Sequence, residues 1–388
     1  MPGWHDQTKE YVSAGKVQVV GLIQEQHPDR ARLFMQWKEM GWPLLVDSLN
    51  LLGVSAVPIT LFLDEAGVIR SVNPGPKDLQ SFLDEAPVGG EGETWSAPRA
   101  DELLALPNLN ELERASQAFL WGGEKGVSQS IDTFQGIVQE SPDHAEAHFR
   151  LGVAYRKRHD SERRLPNDFG QAVRQWGVAL DLNPNQYIWR RRIQQYGPRL
   201  TKPYSFYDWV HEARADLVEA GKKPLSLTVE PGGAEFAHPA VNFEVAGQSS
   251  ENPDPEGRIY RDLKDLVNIE TVAVPAKVRK GEAVRVHVRL APDEARLVHW
   301  NNEVEDLKMW IDAPTEWQLG QRLHRFEVPQ EPVSRETRGV EFELQASEEA
   351  QSGKHRLKGY ALYYICEDVG GQCLYRRQDF EVLIDVID

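Results

Sequence analysis

Cysteine is rare in this 388-residue sequence, which contains only two, Cys366 and Cys373. Two cysteines are too few for a disulfide-rich scaffold, and a structural zinc site needs about four ligands. The eleven histidines are scattered and lack the His-Glu-x-x-His spacing of a metalloprotease helix. The composition therefore predicts neither a metal site nor a cofactor.

Long apolar runs and clustered positive charge are also lacking. No stretch of about eighteen apolar residues occurs, so the sequence predicts no membrane-spanning segment. The net charge of −16 argues against nucleic-acid binding, because phosphate backbones are bound by concentrated basic surfaces. The arginines at 190–192 are too few to reverse this. No Gly-x-Ser-x-Gly, phosphate-binding loop or Gly-x-Gly-x-x-Gly motif indicates a hydrolase, a kinase or a dinucleotide-binding enzyme.

What is present divides into three compositional regions. Residues 1–86 alternate short apolar runs with helical patterns, residues 103–222 are helical, and residues 223–388 show an apolar period of two. Residues 87–102 begin with a stretch rich in glycine, proline and acidic residues, which predicts a linker. The sequence thus predicts a multidomain chain that combines an α/β, an all-α and an all-β region.

Residues 49–70 carry the most specific pattern of the first region. Gly53, Val54, Pro58, Asp64 and Gly67 follow the spacing Gly-Val-x-x-x-Pro-x-x-x-x-x-Asp-x-x-Gly. This pattern resembles the second half of a thioredoxin-like domain of the redoxin type. The resemblance implies a cis-proline loop that faces a Cys-x-x-Cys pair and a substrate.

The substrate-facing loop would then be formed by Val57 and Pro58, but no cysteine lies near them in the sequence. A strand-entry proline is the alternative interpretation of Pro58. The predicted elements match the thioredoxin-like fold only from the helix that follows the cysteine motif onward. The first two strands of that fold have no counterpart in this sequence. Losing a central strand leaves unpaired backbone groups, so we expect the natural start to lie upstream of Met1. The alternative is a degenerate domain kept for packing or for partner binding.

This expectation determines the predicted compartment. An upstream extension with an export signal would place the protein in the periplasm or another extracytoplasmic space. Without such a signal the protein would be cytoplasmic. Residues 1–7 have neither the basic nor the apolar part of a signal peptide.

The helical region contains an internal repeat that resembles the tetratricopeptide pattern. The positions that match it in the better copy are Leu151, Gly152, Tyr155, Ala172, Trp176, Ala179 and Pro184. The weaker, earlier copy has Ala118, Trp121, Phe134, Ile137 and Pro142 in register. The resemblance implies a concave surface that binds a protein partner. A helical spacer that joins two domains is the alternative.

The last region reads as about seven strands separated by turns, which predicts an antiparallel β-sandwich of the immunoglobulin type. The predicted strands are residues 225–229, 270–274, 283–290, 308–312, 339–345, 355–364 and 378–386. Gly370 and Gly371 provide a reversal between Cys366 and Cys373. The two cysteines therefore flank a hairpin and lie within reach of a disulfide bond.

This cysteine hairpin resembles the amino-terminal, immunoglobulin-like domain of thiol:disulfide interchange proteins. The resemblance implies that Cys366 and Cys373 exchange electrons with a thioredoxin-like partner. A structural disulfide is the alternative. If the pair is catalytic, Arg376 and Arg377 would help to stabilise a thiolate, and Glu367 and Asp368 would oppose them.

Two functional hypotheses follow. In the first, the chain is a redox-associated protein that exchanges dithiols and disulfides through Cys366 and Cys373, or through a centre upstream of Met1. In the second, it is a non-enzymatic binding scaffold with an inert thioredoxin-like module and a structural disulfide. Both predict protein partners bound through the helices.

Overall fold

The computed structural model describes residues 2–55, 57–85, 99–197, 209–229, 251–303, 307–326, 329–368 and 372–388. These residues form both helices and sheets, which confirms the prediction of a chain that combines α and β structure. The chain divides into two compact units. The first unit comprises Met1–Arg164, Val178–Arg192 and Asp208–Glu230, and the second comprises Leu165–Gly177, Ile193–Tyr207 and Pro231–Asp388. The segment boundaries predicted from composition stay a prediction.

Helices predominate in the first unit and strands in the second. The helices are α1 (Pro2–Ser13), α2 (Asp29–Trp37), α3 (Asp78–Asp84), α4 (Ala100–Leu104), α5 (Glu111–Trp121), α6 (Gly123–Glu140), α7 (Ala145–His159), α8 (Asp168–Leu182), α9 (Tyr187–Gln194) and α10 (Trp209–Glu219). The strands are β1 (Gly21–Ile23), β2 (Leu44–Val46), β3 (Leu61–Leu63), β4 (Ile69–Val72), β5 (Val267–Val274), β6 (Lys277–Arg279), β7 (Ala283–Pro292), β8 (Val298–Asn301), β9 (Lys308–Asp312), β10 (Trp317–Leu319), β11 (Leu323–Arg325), β12 (Val333–Ser334), β13 (Arg338–Ala346), β14 (Gly353–Glu367) and β15 (Cys373–Ile387).

Two small sheets lie in the first unit. Strands β1 and β2 are parallel, and β3 and β4 are antiparallel. Phe62 of β3 is buried and contacts Trp4 of α1 and Phe82 of α3, with ring centroids 5.8 and 4.8 Å away. By contrast, Leu22 and Leu45, which are register partners, are both exposed. The two sheets are therefore only partly covered.

Buried polar contacts join the residues after β1 to the helices of the first unit. Gln26 donates to the carbonyl of Val153 in α7 at 3.2 Å and accepts a hydrogen bond from Arg192 of α9 at 2.8 Å. His27 is buried beside these groups. Burial, assisted by Arg156, lowers the pKa of His27 to about 2, so His27 is neutral and its 3.8 Å approach to Asp160 is not an ion pair.

Helices α5 to α10 lie within residues 103–222, where the sequence predicts helices. Helix α5 begins at a capping box, in which Asn110 and Glu113 each accept from the other's backbone N–H, at 2.9 and 2.8 Å. Most of the described repeat positions are buried, including Phe134 and Leu151, but Trp121 is 46% exposed. The tetratricopeptide assignment stays a prediction.

The second unit contains two β-sheets that share one apolar core. The first has the strand order β10-β13-β7-β5, and the second has the order β11-β9-β14-β15-β6, with β8 and β12 attached beside β14. Val286 and Leu344 from the first sheet and Trp300 and Ile365 from the second belong to this core. The face of the larger sheet toward this core is called its inner face, and the opposite side its outer face.

One predicted strand is wrong. Residues 225–229 form no strand, because their backbone groups bond to side chains instead. The Leu225 N–H donates to Gln36 at 3.0 Å, and the Thr228 N–H donates to Asp29. The short strands β6, β8, β10, β11 and β12 were not predicted from the sequence, because two to four residues are too few to show a period.

Candidate functional site

The cysteine pair lies where β14 meets β15. These strands pair antiparallel from Gly353 opposite Val386 to Cys366 opposite Cys373. The two cysteines form a disulfide with an S–S distance of 2.01 Å and a Cα–Cα distance of 4.0 Å. The Cα–Cα distance is slightly below the usual range of about 4.4–6.8 Å. Gly370 and Gly371, which the sequence suggests for the reversal, lie outside the described residues.

The two half-cystines differ in exposure. Cys366 is 5% exposed, whereas Cys373 is exposed to solvent. Successive side chains of a strand point to opposite faces. Ile365 and Leu374 pack on the inner core, so Cys366 and Cys373 lie on the outer face. A sulfur nucleophile from solvent therefore reaches Cys373 more readily than Cys366.

An aromatic pair lies beside the disulfide on the outer face. Tyr364 and Tyr375 are register partners, and their rings stack with centroids 4.3 Å apart. They are two residues from the cysteines along each strand, and period two places them on the same face. The stacked tyrosine rings therefore flank the disulfide on one side.

A histidine and a carboxylate lie on the other side. Strand β8 pairs with β14 so that His299 is opposite Cys366. Val298 and Trp300 pack into the inner core, so His299 lies on the outer face with the disulfide. The Nδ1 atom of His299 is 2.5 Å from Oδ1 of Asp368, and Arg335 also donates to Asp368.

This arrangement determines the charge of Asp368. The hydrogen bond with His299 lowers the pKa of the Asp368 carboxyl, and Arg335 lowers it further. Asp368 is therefore ionised at neutral pH. The row His299, Cys366, Cys373 places an imidazole next to the buried sulfur, and Asp368 bonds to that imidazole.

The charged residues named from the sequence have other partners. Arg377 bonds to Asp254 at 2.8 Å and to Asp379 at 2.7 Å. The guanidinium of Arg376 donates to the carbonyl of Tyr375 at 2.9 Å. Glu367 bonds to Lys264 at 2.7 Å.

Sequence reasoning did not identify His299 or Arg335. No local pattern connects them with the hairpin, because His299 and Asp368 are 69 positions apart. The sequence offers one signal for this position, the alternation of apolar residues around His299 in β8, and this strand is only four residues long.

The loop of Val57 and Pro58 belongs to the first unit, whereas both cysteines belong to the second. The Val57–Pro58 peptide bond is cis, as the resemblance implies. Val57 is 52% exposed and Ile59 is 43% exposed. The role of this loop in substrate binding stays a prediction.

A cleft of about 620 Å³ lies farther along the outer face of the larger sheet. Trp310, Tyr360 and Arg377 line it, and the Arg377 guanidinium lies 3.8 Å from the centre of the Tyr360 ring. The described residues bring no three His, Cys, Asp or Glu side chains together as metal ligands. Every helix in the described ranges is too short or too polar to cross a bilayer.

No protein-family model matches the chain, and no curated protein matches its sequence. Solved structures show weak similarity. The sporulation control protein Spo0M from Bacillus subtilis is 9% identical with a TM-score of 0.17, over 32% of this chain and 50% of Spo0M. This chain thus spans half the length of Spo0M.

Two further structures are similarly distant. AvmM, which catalyses macrocyclization in alchivemycin A biosynthesis, is 12% identical with a TM-score of 0.18, over 34% of this chain and 96% of AvmM. The alkylpurine DNA glycosylase AlkC from Pseudomonas fluorescens is 9% identical with a TM-score of 0.18, over 72% of this chain and 76% of AlkC. TM-scores this low carry no conclusion about the fold or the function.

Proposed function

We propose that the protein is a thiol–disulfide exchange protein whose redox centre is the pair Cys366 and Cys373. The observation that carries the proposal is the asymmetry of the pair, with an exposed Cys373 bonded to a buried Cys366 on the outer face. Exchange needs one accessible sulfur for attack and one sulfur that leaves. The resemblance of the hairpin to thiol:disulfide interchange proteins supports the same function.

The reaction uses a dithiol protein as its partner. A partner thiolate attacks Sγ of Cys373, which breaks the Cys366–Cys373 bond and releases Cys366 as a thiolate. The second partner thiolate then attacks the partner sulfur of the mixed disulfide and releases Cys373. The net result is a reduced Cys366 and Cys373 pair and an oxidised partner, and each step is reversible.

Finer fold assignments belong to this proposal. The thioredoxin-like assignment of residues 1–86 is supported by the element order α1, β1, α2, β2, β3, β4 and α3. The immunoglobulin-like assignment is supported by two sheets around one core. Such a chain would join a redox-related module to its own exchange hairpin.

The test is capture of the mixed disulfide. In the full chain, Cys366→Ser leaves Cys373 free to form a mixed disulfide with the oxidised partner and removes Cys366, the thiol whose attack on Cys373 would release that partner. We therefore expect covalent complexes that a reductant releases. Cys373→Ser is the matched control, because its remaining thiol is the buried one. Equal capture by the two variants, or none by either, contradicts the proposed exchange.

Protein binding without catalysis is the second candidate, and one observation favours it. Nearly half of the exposed large apolar side chains in the described residues lie within positions 20–72, including Leu45 and Leu63. Such a concentration is typical of a protein-binding surface. If this candidate is correct, replacing both Cys366 and Cys373 by serine leaves binding of the natural partner unchanged in an equilibrium binding assay.

A further inference from the structure

We infer that His299, held by Asp368, stabilises and protonates the Cys366 thiolate when the disulfide opens. The inference deepens the proposed exchange function and rests on it. It assigns a role to a residue that the sequence analysis did not identify. The class of substrate stays a dithiol protein that attacks Cys373.

Position is the first argument. His299, Cys366 and Cys373 occupy one row across β8, β14 and β15 on the outer face. Side chains of directly opposed residues in antiparallel strands have Cβ atoms about 4.5–5.5 Å apart. His299 is therefore the direct neighbour of Cys366 on the side opposite Cys373.

Orientation is the second argument. Asp368 engages Nδ1 of His299, and within the described residues no hydrogen bond is seen at Nε2. This is the arrangement in which a carboxylate fixes the imidazole and leaves its other nitrogen for chemistry. Arg335 fixes the carboxylate in turn. The His299 side chain is 16% exposed, so water screens its charge only partly.

The chemistry at Cys366 is the third argument. Attack on Cys373 places the electron pair of the broken bond on Sγ of Cys366. That sulfur is buried, and burial raises the pKa of a thiol and makes its thiolate a poor leaving group. An adjacent imidazolium offsets this cost by its charge and then supplies the proton, which Asp368 helps it to regain.

Other charged groups around the row do not replace His299. Glu367 follows Cys366 on β14, but alternation directs it to the opposite face, where it pairs with Lys264. Arg335 reaches the row only through Asp368 among the contacts that the described residues show. His299 is thus the acid–base group adjacent to Cys366.

The direct test is the thiol pKa of Cys366 in the full-length, reduced Cys373→Ser chain, followed by the ultraviolet absorbance of the thiolate. Adding His299→Asn should raise this pKa by about one unit or more, which is the size of a neighbouring-charge effect. Asp368→Asn should raise it by less. His355→Asn, at the far end of β14, is the matched control and should leave it unchanged. An unchanged pKa in His299→Asn overturns the inference.

A kinetic test on the two-cysteine protein separates this inference from the proposed function. Exchange of the wild type with a small dithiol, measured against pH, tests the function alone. If His299 acts as inferred, His299→Asn slows exchange about threefold for each unit by which the pKa of the leaving thiol rises. His299→Gln, which keeps a polar side chain, should be slow as well. If the wild type exchanges with the dithiol and both variants show the same rate and pH profile as the wild type, the inference is overturned and the proposed function stands.

Discussion

The two units differ in how far the apolar side chains of their sheets are buried. In the second unit, Val286, Trp300 and Ile365 are fully buried between two sheets. In the first unit, Leu22 and Leu45 on the two-stranded sheet are 43% and 56% exposed. A two-stranded sheet is marginal by itself, whereas sheets of four and seven strands cover each other. The stability of the first unit must therefore come mainly from its helices.

The largest expected effect is in the sandwich core. Trp300→Ala removes a side chain that is 0% exposed and whose indole N–H donates to the Glu336 carbonyl at 2.8 Å. We expect a loss of about 3–5 kcal/mol in the free energy of unfolding of the second unit. Leu45→Ala in the first unit should change stability by less than about 0.5 kcal/mol. Urea unfolding of the full chain measures both, and comparable losses would remove the contrast between the units.

An acid titration sharpens the contrast in the first unit. The folded-state pKa of His27 is lowered from 6.5 to about 2 by burial and by Arg156. Below pH 6.5 the unfolded chain therefore binds a proton that the folded chain rejects, and stability falls. The loss should be about 2 kcal/mol between pH 6.5 and pH 5. In His27→Gln the slope of unfolding free energy against pH should flatten in this window, and an unchanged slope contradicts the prediction.

A smaller acid effect is expected in the second unit and at lower pH. Burial opposes ionisation of Glu341, but its contacts with His287 and Arg285 prevail and lower its pKa from 4.5 to about 2. Because the folded-state pKa is depressed, this stability is present above pH 4.5 and is lost as the pH falls toward 2. Glu341 is 34% exposed, so solvent screening reduces the contribution to about 1 kcal/mol. Glu341→Gln should remove this sensitivity, as measured by urea unfolding at successive pH values. An unchanged pH dependence of the unfolding free energy in Glu341→Gln between pH 4.5 and 2 would contradict the assignment.

The parts of the fold that follow from local sequence were predictable. Helices α2 and α7 follow from apolar periodicity, and the β14–β15 hairpin follows from two long alternating segments around a glycine pair. The pairing of Cys366 with Cys373 then follows from the register. These features need no knowledge of distant segments.

The rest of the site depends on contacts between distant segments. His299 meets Cys366 because the four-residue strand β8 joins the edge of β14. Short strands carry too little periodicity to be recognised, and pairing between them is decided by the shared core. The strand prediction for residues 225–229 is wrong for a related reason, because side chains of α2 accept hydrogen bonds from the backbone of this segment.

The reduction potential of the Cys366–Cys373 pair is the most direct measurement. Equilibration of the full-length protein with glutathione buffers, followed by thiol quantification, gives this potential. An exchange centre should have a potential near about −200 mV, within the range of exchange proteins. A potential below about −300 mV would mark a structural disulfide and contradict the proposed function.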